Sequence, residues 1–374
     1  VPADRGTVPV AGPVATGTAR EREHAFRKDH FTMTGDTGEL VVRTLGETEA
    51  RDVFTSLHDS LPDANLVGRT LLGRPYRTLR EGGEYRPEWT WVAQRAGRVV
   101  ARAACWAEPG ARRPLLVDWF DFAPGEEAAA VRLLRELTPK VEFELVLPPG
   151  WRDDPAVRAG AEARIGAAAR AGWSPLVERF RYRWTPACGL PVHPGRLRFR
   201  PEPDDEAVLD VLRQIEHGTL DAHARLAMAR HEEPDGDGSP DGSGNASAVE
   251  RAAREDLDHL RWMASFGGRE WWRLAFAPDG ALVGLQAPAR IPSGLAVGFI
   301  GVVPRQRGHG YAYDLLAECT RQLAAEGAES VVASTDLGNA PMAAAFAKAG
   351  YPIEQHRFCM VPDPGPEPEA TDPA

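Results

Sequence analysis

Lysine is almost missing from this chain: it stands only at Lys28, Lys140 and Lys348 among 374 residues. Arginine supplies nearly all the positive charge, and acidic residues still outnumber basic ones to a formal net charge of -10. That balance argues against a general nucleic-acid binder, which needs a basic face to neutralise phosphates. Long apolar runs are also absent: no stretch approaches the ~18 residues that a membrane span requires. The four cysteines (Cys105, Cys188, Cys319 and Cys359) lie far apart, without C-x-x-C or Cys/His ligand spacing. They read as reduced thiols, with Cys319 and Cys359 in core patterns, so neither a disulfide framework nor a metal site is expected. These features describe a globular protein of the cytoplasm.

What is present falls into two similar α/β units. Residues 1–36 are polar, Gly/Thr-rich and aperiodic, and lack the apolar core of a signal peptide. They read as a disordered extension, with Met33 a candidate start. Ordered sequence is expected over 37–187, a proline-punctuated linker over 188–195, and a second unit over 196–361. Residues 232–247 (E-E-P-D-G-D-G-S-P-D-G-S-G-N-A-S) form an acidic low-complexity insertion, expected to be disordered. The Pro/Glu/Asp tail over 362–374 is read the same way. Within each unit, alternating strand patterns come first and strand–helix repeats follow. Phe122-Ala-Pro and Ala171-Gly-Trp in the first unit recur as Val302-Val-Pro and Ala349-Gly-Tyr in the second, at nearly equal separation. The strands that follow also rhyme, E-R-F-R-Y-R-W (178–184) against Q-H-R-F-C-M-V (355–361), which points to an internal duplication.

The stretch Val302-Val-Pro-Arg-Gln-Arg-Gly-His-Gly-Tyr-Ala joins an apolar strand to a helix. Glycines at such a turn let successive N–H groups converge, and the helix start adds the positive end of its dipole. Arg305 and Arg307 add positive charge. The donors of this cradle are expected from Val303 and from Arg307 through Tyr311, since Pro304 has no N–H. A pyrophosphate suits it.

This stretch resembles the [QR]-x-x-G-x-[GA] signature of the GCN5-related N-acetyltransferase (GNAT) family. A strand ending in Thr335-Asp-Leu-Gly-Asn and a helix closing with Phe346-Ala-Lys-Ala-Gly-Tyr are similar to further parts of the family pattern. The resemblance covers residues 197–361. It implies a mixed α/β fold of two GNAT-type units, each a mostly antiparallel twisted sheet with a splayed parallel strand pair and flanking helices. It also implies coenzyme A as cofactor, as acetyl-CoA or another acyl-CoA. The cofactor would lie on Val302, Val303, Arg305, Arg307, Gly308, His309, Gly310 and Tyr311, with Asn339 and Phe346 along its arm. Asn339 is equally an N-cap of its own helix. In the first unit, Pro124-Gly-Glu-Glu-Ala stands where the cradle would be, so that unit reads as a degenerate duplicate. The whole resembles tandem GNAT proteins with one active half.

The catalytic groups are less defined. Many family members carry a Glu on the strand before the cradle and a Tyr seven residues after the Asn. Here that strand (Leu295-Ala-Val-Gly-Phe-Ile-Gly-Val-Val) has no carboxylate, and the Tyr position is Phe346. A backbone N–H near Phe299 or Ile300 remains to stabilise the developing oxyanion. Asp336, at the carboxyl end of its strand, is the candidate proton acceptor, or else a loop carboxylate capping the Asn339 helix. Glu216, Asp221 and His223 crowd the region expected to bind the acceptor, although a solvated helix face explains them as well. Gln286 would line the acceptor pocket or face solvent.

Two functions fit: N-acyl transfer to a small amine in a ternary complex, or acyl-CoA binding without catalysis. Glu216, Asp221, Asp336 and the acidic insertion suggest a cationic amine. The expected assembly is a pseudo-dimeric monomer or a homodimer, with no nucleic acid or membrane partner.

Overall fold

The computed structural model describes residues 38–63, 66–107, 111–229 and 243–364. The expected N-terminal extension therefore lies outside the described residues, as do most of the insertion and of the tail. No helix among the described residues is long and apolar enough to cross a membrane.

The N-terminal half runs β1 (Leu40–Thr44), α1 (Ala50–Thr55), β2 (Tyr85–Arg95), β3 (Arg98–Trp106), β4 (Leu116–Phe122), α2 (Glu127–Glu136), β5 (Glu142–Leu147), α3 (Pro155–Arg170) and β6 (Trp173–Trp184). The C-terminal half repeats that order with two extra helices. It runs β7 (Arg198–Pro201), α4 (Asp205–Glu216), α5 (Ala222–Ala229), α6 (Ser243–Ala264), β8 (Arg273–Phe276), β9 (Leu282–Ile291), β10 (Gly294–Val302), α7 (Tyr311–Ala325), β11 (Val331–Asp336), α8 (Ala340–Lys348) and β12 (Ile353–Pro362). Local chemistry sets these boundaries. Ala96 and Gly97, both at positive φ, turn β2 into β3. Asp154 caps α3 ahead of Pro155 by accepting from the N–H groups of Ala156 and Val157. Helix α6 begins at Ser243, within the segment expected to be disordered.

The twelve strands of the described residues form one sheet, in the order β1-β2-β3-β4-β5-β12-β6-β11-β10-β9-β8-β7. The halves exchange their final strands. β12 lies beside β5 of the N-terminal half, while β6 lies beside β11 of the C-terminal half. β6 and β12 also pair with each other, antiparallel, across the middle of the molecule. Each half's parallel pair is splayed. β4 and β5 pair only at Leu116↔Glu142 and Val117↔Phe143, and β10 and β11 only at Leu295↔Val331 and Ala296↔Val332. A bulge between Val297 and Phe299 bends β10 away just after its last pairing with β11.

Alternation along the strands divides the core. Tyr182 and Trp184 of β6 pack with Leu316, Cys319 and Phe346 under α7 and α8. On the opposite face, α4 and α6 bury Leu212, Leu257 and Leu260 against Leu285 and Ala287 of β9. That opposite face carries Arg179, Arg181 and Arg183.

Candidate active site

The turn after β10 has the form of an anion cradle. Gly308 and Gly310 take φ of 84° and 75°, and Gly310 precedes the first turn of α7. The N–H groups of Gly308, His309 and Gly310 donate to nothing among the described residues. Three exposed amides at a helix start, together with the helix dipole, fit a pyrophosphate. Two expected donors are otherwise engaged: Val303 N–H bonds Val283 O at 2.9 Å, and Arg307 N–H bonds Pro304 O at 3.2 Å. Arg305 is exposed, and its side chain has no partner among the described residues.

Arg307 corrects the expectation placed on it. Its guanidinium donates to Ile215 O at 2.6 Å, to His217 O at 2.9 Å and to Gly218 O at 2.8 Å, closing the C-terminal end of α4. Its Nε also donates to Val302 O at 3.1 Å. Arg307 is therefore a clamp between α4 and β10, and the Val302 carbonyl is occupied. His309 presents its backbone N–H, while its ring stacks on Tyr311.

The open edge of β10 lies past the bulge. Since Val303 N–H points to β9, alternation turns the N–H of Val302 and Ile300 into the gap between β10 and β11. Asn339 caps α8 by accepting from Met342 N–H at 3.2 Å through Oδ1, and its amide Nδ2 has no partner among the described residues. Phe346 is only 1% exposed and stacks on Tyr182 with ring centroids 4.2 Å apart. It belongs to the core rather than to a cofactor surface.

Four of the expected acceptor-side residues do come together, at the corner between α4 and α5. Asp336 Oδ2 accepts from Ala222 N–H at 2.7 Å, and Oδ1 lies 3.0 Å from Arg179 Nε. Asp336 thus holds the start of α5, not that of the Asn339 helix; its Oδ1 makes the ion pair with Arg179 but no hydrogen bond among the described residues. Burial raises its pKa, against the opposing pull of Arg179. Asp221 accepts from Ala224 N–H at 3.0 Å and reaches Arg179 Nη2 at 3.5 Å. His223 Nε2 meets both oxygens of Glu142, at 3.1 and 3.2 Å. Burial favours the neutral ring, but the Glu142 carboxylate outweighs it, and the His223 pKa is raised. Cys359 stands beside this pair, and potential ligand atoms of Glu142, His223 and Cys359 lie within 4.8 Å of one another. Glu216 is buried against Asp256 of α6, a partner not expected from sequence. Burial raises both carboxyls well above their usual range; the neighbouring Asp256 pushes Glu216 up further, while the hydrogen bond from Glu216 pulls Asp256 back down. Glu216 Oε2 has no hydrogen-bond partner.

Gln286 lies elsewhere. It is fully buried and donates from Nε2 to Gln322 Oε1 of α7 at 3.1 Å, so it neither lines the acceptor side nor faces solvent.

The charge of the cleft reverses what the acidic residues suggested. A cavity of about 930 Å³ opens beneath the gap, reaching Ala296–Gly298 of β10 and Val332–Ser334 of β11. Six arginines line it (Arg69, Arg74, Arg179, Arg181, Arg183 and Arg357), against Glu84 and Glu354. An R-x-R-x-R alternation in β6 carried this signal, but only the strand exchange brings it to the C-terminal half.

The N-terminal half has no equivalent cradle. Glu126 stands at the start of α2 and pairs with Arg95 at 3.0 Å. Its strand gap is filled by the chain itself: Gly68 N–H bonds Val146 O of β5 at 2.8 Å, and Arg69 pairs with Asp118 of β4. The edge carbonyl of Phe120 in β4 accepts from Arg164 at 3.1 Å.

The splayed pair and cradle define a class of protein. Residues 248–351, from α6 through α8, match the model of the acetyltransferase (GNAT) family. The C-terminal half carries a GNAT domain. Among solved structures, the chain is similar to a GCN5-related N-acetyltransferase from Sphaerobacter thermophilus, at 16% identity and TM-score 0.45, over 87% of this chain and 98% of that one. It is also similar to a tandem GNAT protein from the clavulanic acid biosynthesis pathway, at 19% identity and TM-score 0.42, over 88% of this chain and all of the other. No curated protein matches the chain in sequence.

Proposed function

We propose that the protein is an acyl-CoA-dependent N-acyltransferase, acting on a small amine with acetyl-CoA or a related thioester in a ternary complex. The observation that carries this reading is the cradle: free N–H groups at Gly308, His309 and Gly310, placed where β10 parts from β11. The GNAT match over the same elements supports it.

Bound acyl-CoA would supply an activated acyl group as a thioester. The cradle amides and Arg305 would hold its diphosphate, and the Asn339 amide its arm. The Ile300 N–H, aimed into the gap, would polarise the acyl carbonyl. As the amine forms its C–N bond and the C–S bond breaks, one amine proton must leave. The Glu216–Asp256 pair is the proton acceptor in this proposal, since burial raises both carboxyls and leaves the pair able to take up a proton near neutral pH. Glu216 follows Ile215, whose side chain packs against Gly301 of β10. Asp336 serves as a positioning residue that fixes α5 and Arg179.

Incubating the protein with acetyl-CoA and a broad amine panel, and following free thiol with mass detection of the acylated amine, tests the proposal. Amine-dependent thiol release supports transfer. Saturable CoA binding without release for any amine or acyl-CoA would favour the non-catalytic binding role.

A further inference from the structure

The strand exchange places the last strand of the N-terminal half in the wall of the C-terminal half's cleft. Register sets Arg179, Arg181 and Arg183 of β6 opposite Asp336, Ser334 and Val332 of β11. On its other side, β6 sets Arg181 against Gln355 and Arg179 against Arg357 of β12. Two guanidinium groups facing each other across a strand pair repel unless anions separate them. For most of these arginines the protein supplies the anion: Asp336 and Asp221 for Arg179, Glu144 for Arg357, and Glu354 for Arg183. Arg69 has Asp118 and Glu84, and Arg74 shares Glu84.

Arg181 is the exception. Its one hydrogen bond among the described residues is to Ser334 Oγ, at 3.2 Å, and no carboxylate pairs with it. Ser334 is neutral and belongs to β11, the strand that borders the gap. Burial, with Arg357 nearby, lowers the Arg181 pKa to about 10, so its positive charge is held at a cost throughout the neutral range. An arginine on the wall of a cavity, with Glu144 and Glu354 near but no carboxylate in direct contact among the described residues, fits a site completed by an external anion.

We infer that Arg181 binds an anionic group, a carboxylate or a phosphate, on the amine that accepts the acyl group. This rests on the acyltransfer reading and adds the substrate class to it. The cavity is large enough for a small amine bearing such a group beside the acyl arm. The N-terminal half then has a task despite lacking a cradle, because it brings Arg181 to the site. The cationic acceptor suggested by sequence is thereby replaced.

The test uses matched acceptors with acetyl-CoA: α-amino acids against their carboxamides, and phosphoethanolamine against ethanolamine. The anionic member of at least one pair should be favoured about tenfold or more in kcat/KM. Arg181→Gln should raise its KM about ten- to a hundredfold, leaving kcat for neutral amines and KM for acetyl-CoA unchanged. Arg181→Lys should recover part of the loss, since it restores the charge without the fork. Thermal melts confirm that both variants fold. Preference for neutral or cationic amines would overturn the assignment, as would equal damage to all acceptors. Should no amine turn over, calorimetry with the CoA-loaded protein decides: anionic panel members must bind the wild type and not Arg181→Gln, and failure to do so overturns the inference. Failure to bind CoA at all would instead overturn the acyltransfer reading. With succinyl-CoA as donor, an Arg181→Gln effect confined to the KM of that thioester would place the anion on the acyl group and refute the acceptor assignment.

Discussion

A single carboxylate placed at Gly308 separates binding at the cradle from the stability of the fold. Gly308 is exposed, and a Cβ built there meets no atom within 4 Å. The structural cost of Gly308→Glu is therefore confined to its left-handed backbone, at φ 84°. That strain is about 1–2 kcal/mol. For a chain of this size it lowers Tm by no more than about 5 °C. The new charge would lie close to a bound diphosphate. At about 4 Å each charge pair repels by about 1 kcal/mol in bulk water and about 4 kcal/mol near a protein surface. Two diphosphate charges then weaken CoA binding by at least about 30-fold. Gly308→Ala carries the same strain without the charge and should bind within about threefold of wild type. Calorimetric titration with CoA reads the affinity, and a circular-dichroism melt reads the fold. Wild-type affinity in Gly308→Glu would refute the cradle, and equal losses in both variants would refute the electrostatic argument.

Arg305 and Arg307, two residues apart, should respond oppositely. Arg305→Ala should weaken CoA binding severalfold with unchanged Tm, whereas Arg307→Ala should lower Tm and hydrogen-exchange protection at the end of α4. Asp121 is buried, with its oxygens on Arg102 (2.8 Å) and Arg164 (2.9 Å) and on the Trp119 indole (3.0 Å). Asp121→Ala would strand the buried Arg102 guanidinium, while Arg164 keeps Asp63 at 2.6 Å, and should cost about 3–5 kcal/mol in urea unfolding. Glu216 has a raised folded pKa, so its stabilising contribution is complete below the unfolded carboxyl pKa of about 4.3 and is lost as pH rises through the folded value. Glu216→Gln should therefore flatten the alkaline fall in Tm while lowering kcat about a hundredfold or more, and an unchanged kcat would remove Glu216 from the proton path.

Local chemistry carried much of the fold into the sequence. Strand alternation, the Asp154-Pro155 helix start and the Gly308/Gly310 turn each depend on neighbours in the chain, and so were readable. The exchange of β6 and β12 was not, because either strand can pair with either half and nothing local selects between them. That choice decides what the R-x-R-x-R of β6 does. Read within its own half it is a polar strand face; beside β11 it lines the cleft. The same limit applied to Arg307, whose targets Ile215, His217 and Gly218 lie about ninety residues away. Glu216, Asp221 and His223 were recognisable as a group, but their partners Asp256, Arg179 and Glu142 come from other elements. Those partners pair Asp221 with Arg179 and His223 with Glu142, and bury Glu216 against a second carboxyl. The plug at Gly68 and Arg69 had no sequence signal, since it works through one backbone N–H and a long-range ion pair.

On the function proposed above, one half binds coenzyme A while the other has closed its strand gap with its own chain. Calorimetric titration of the 374-residue chain with CoA checks both parts at once. A stoichiometry near one per chain, abolished by Gly308→Glu and unaffected by Glu126→Ala, is the expected result. A stoichiometry near two, or a single site that survives Gly308→Glu, would contradict it.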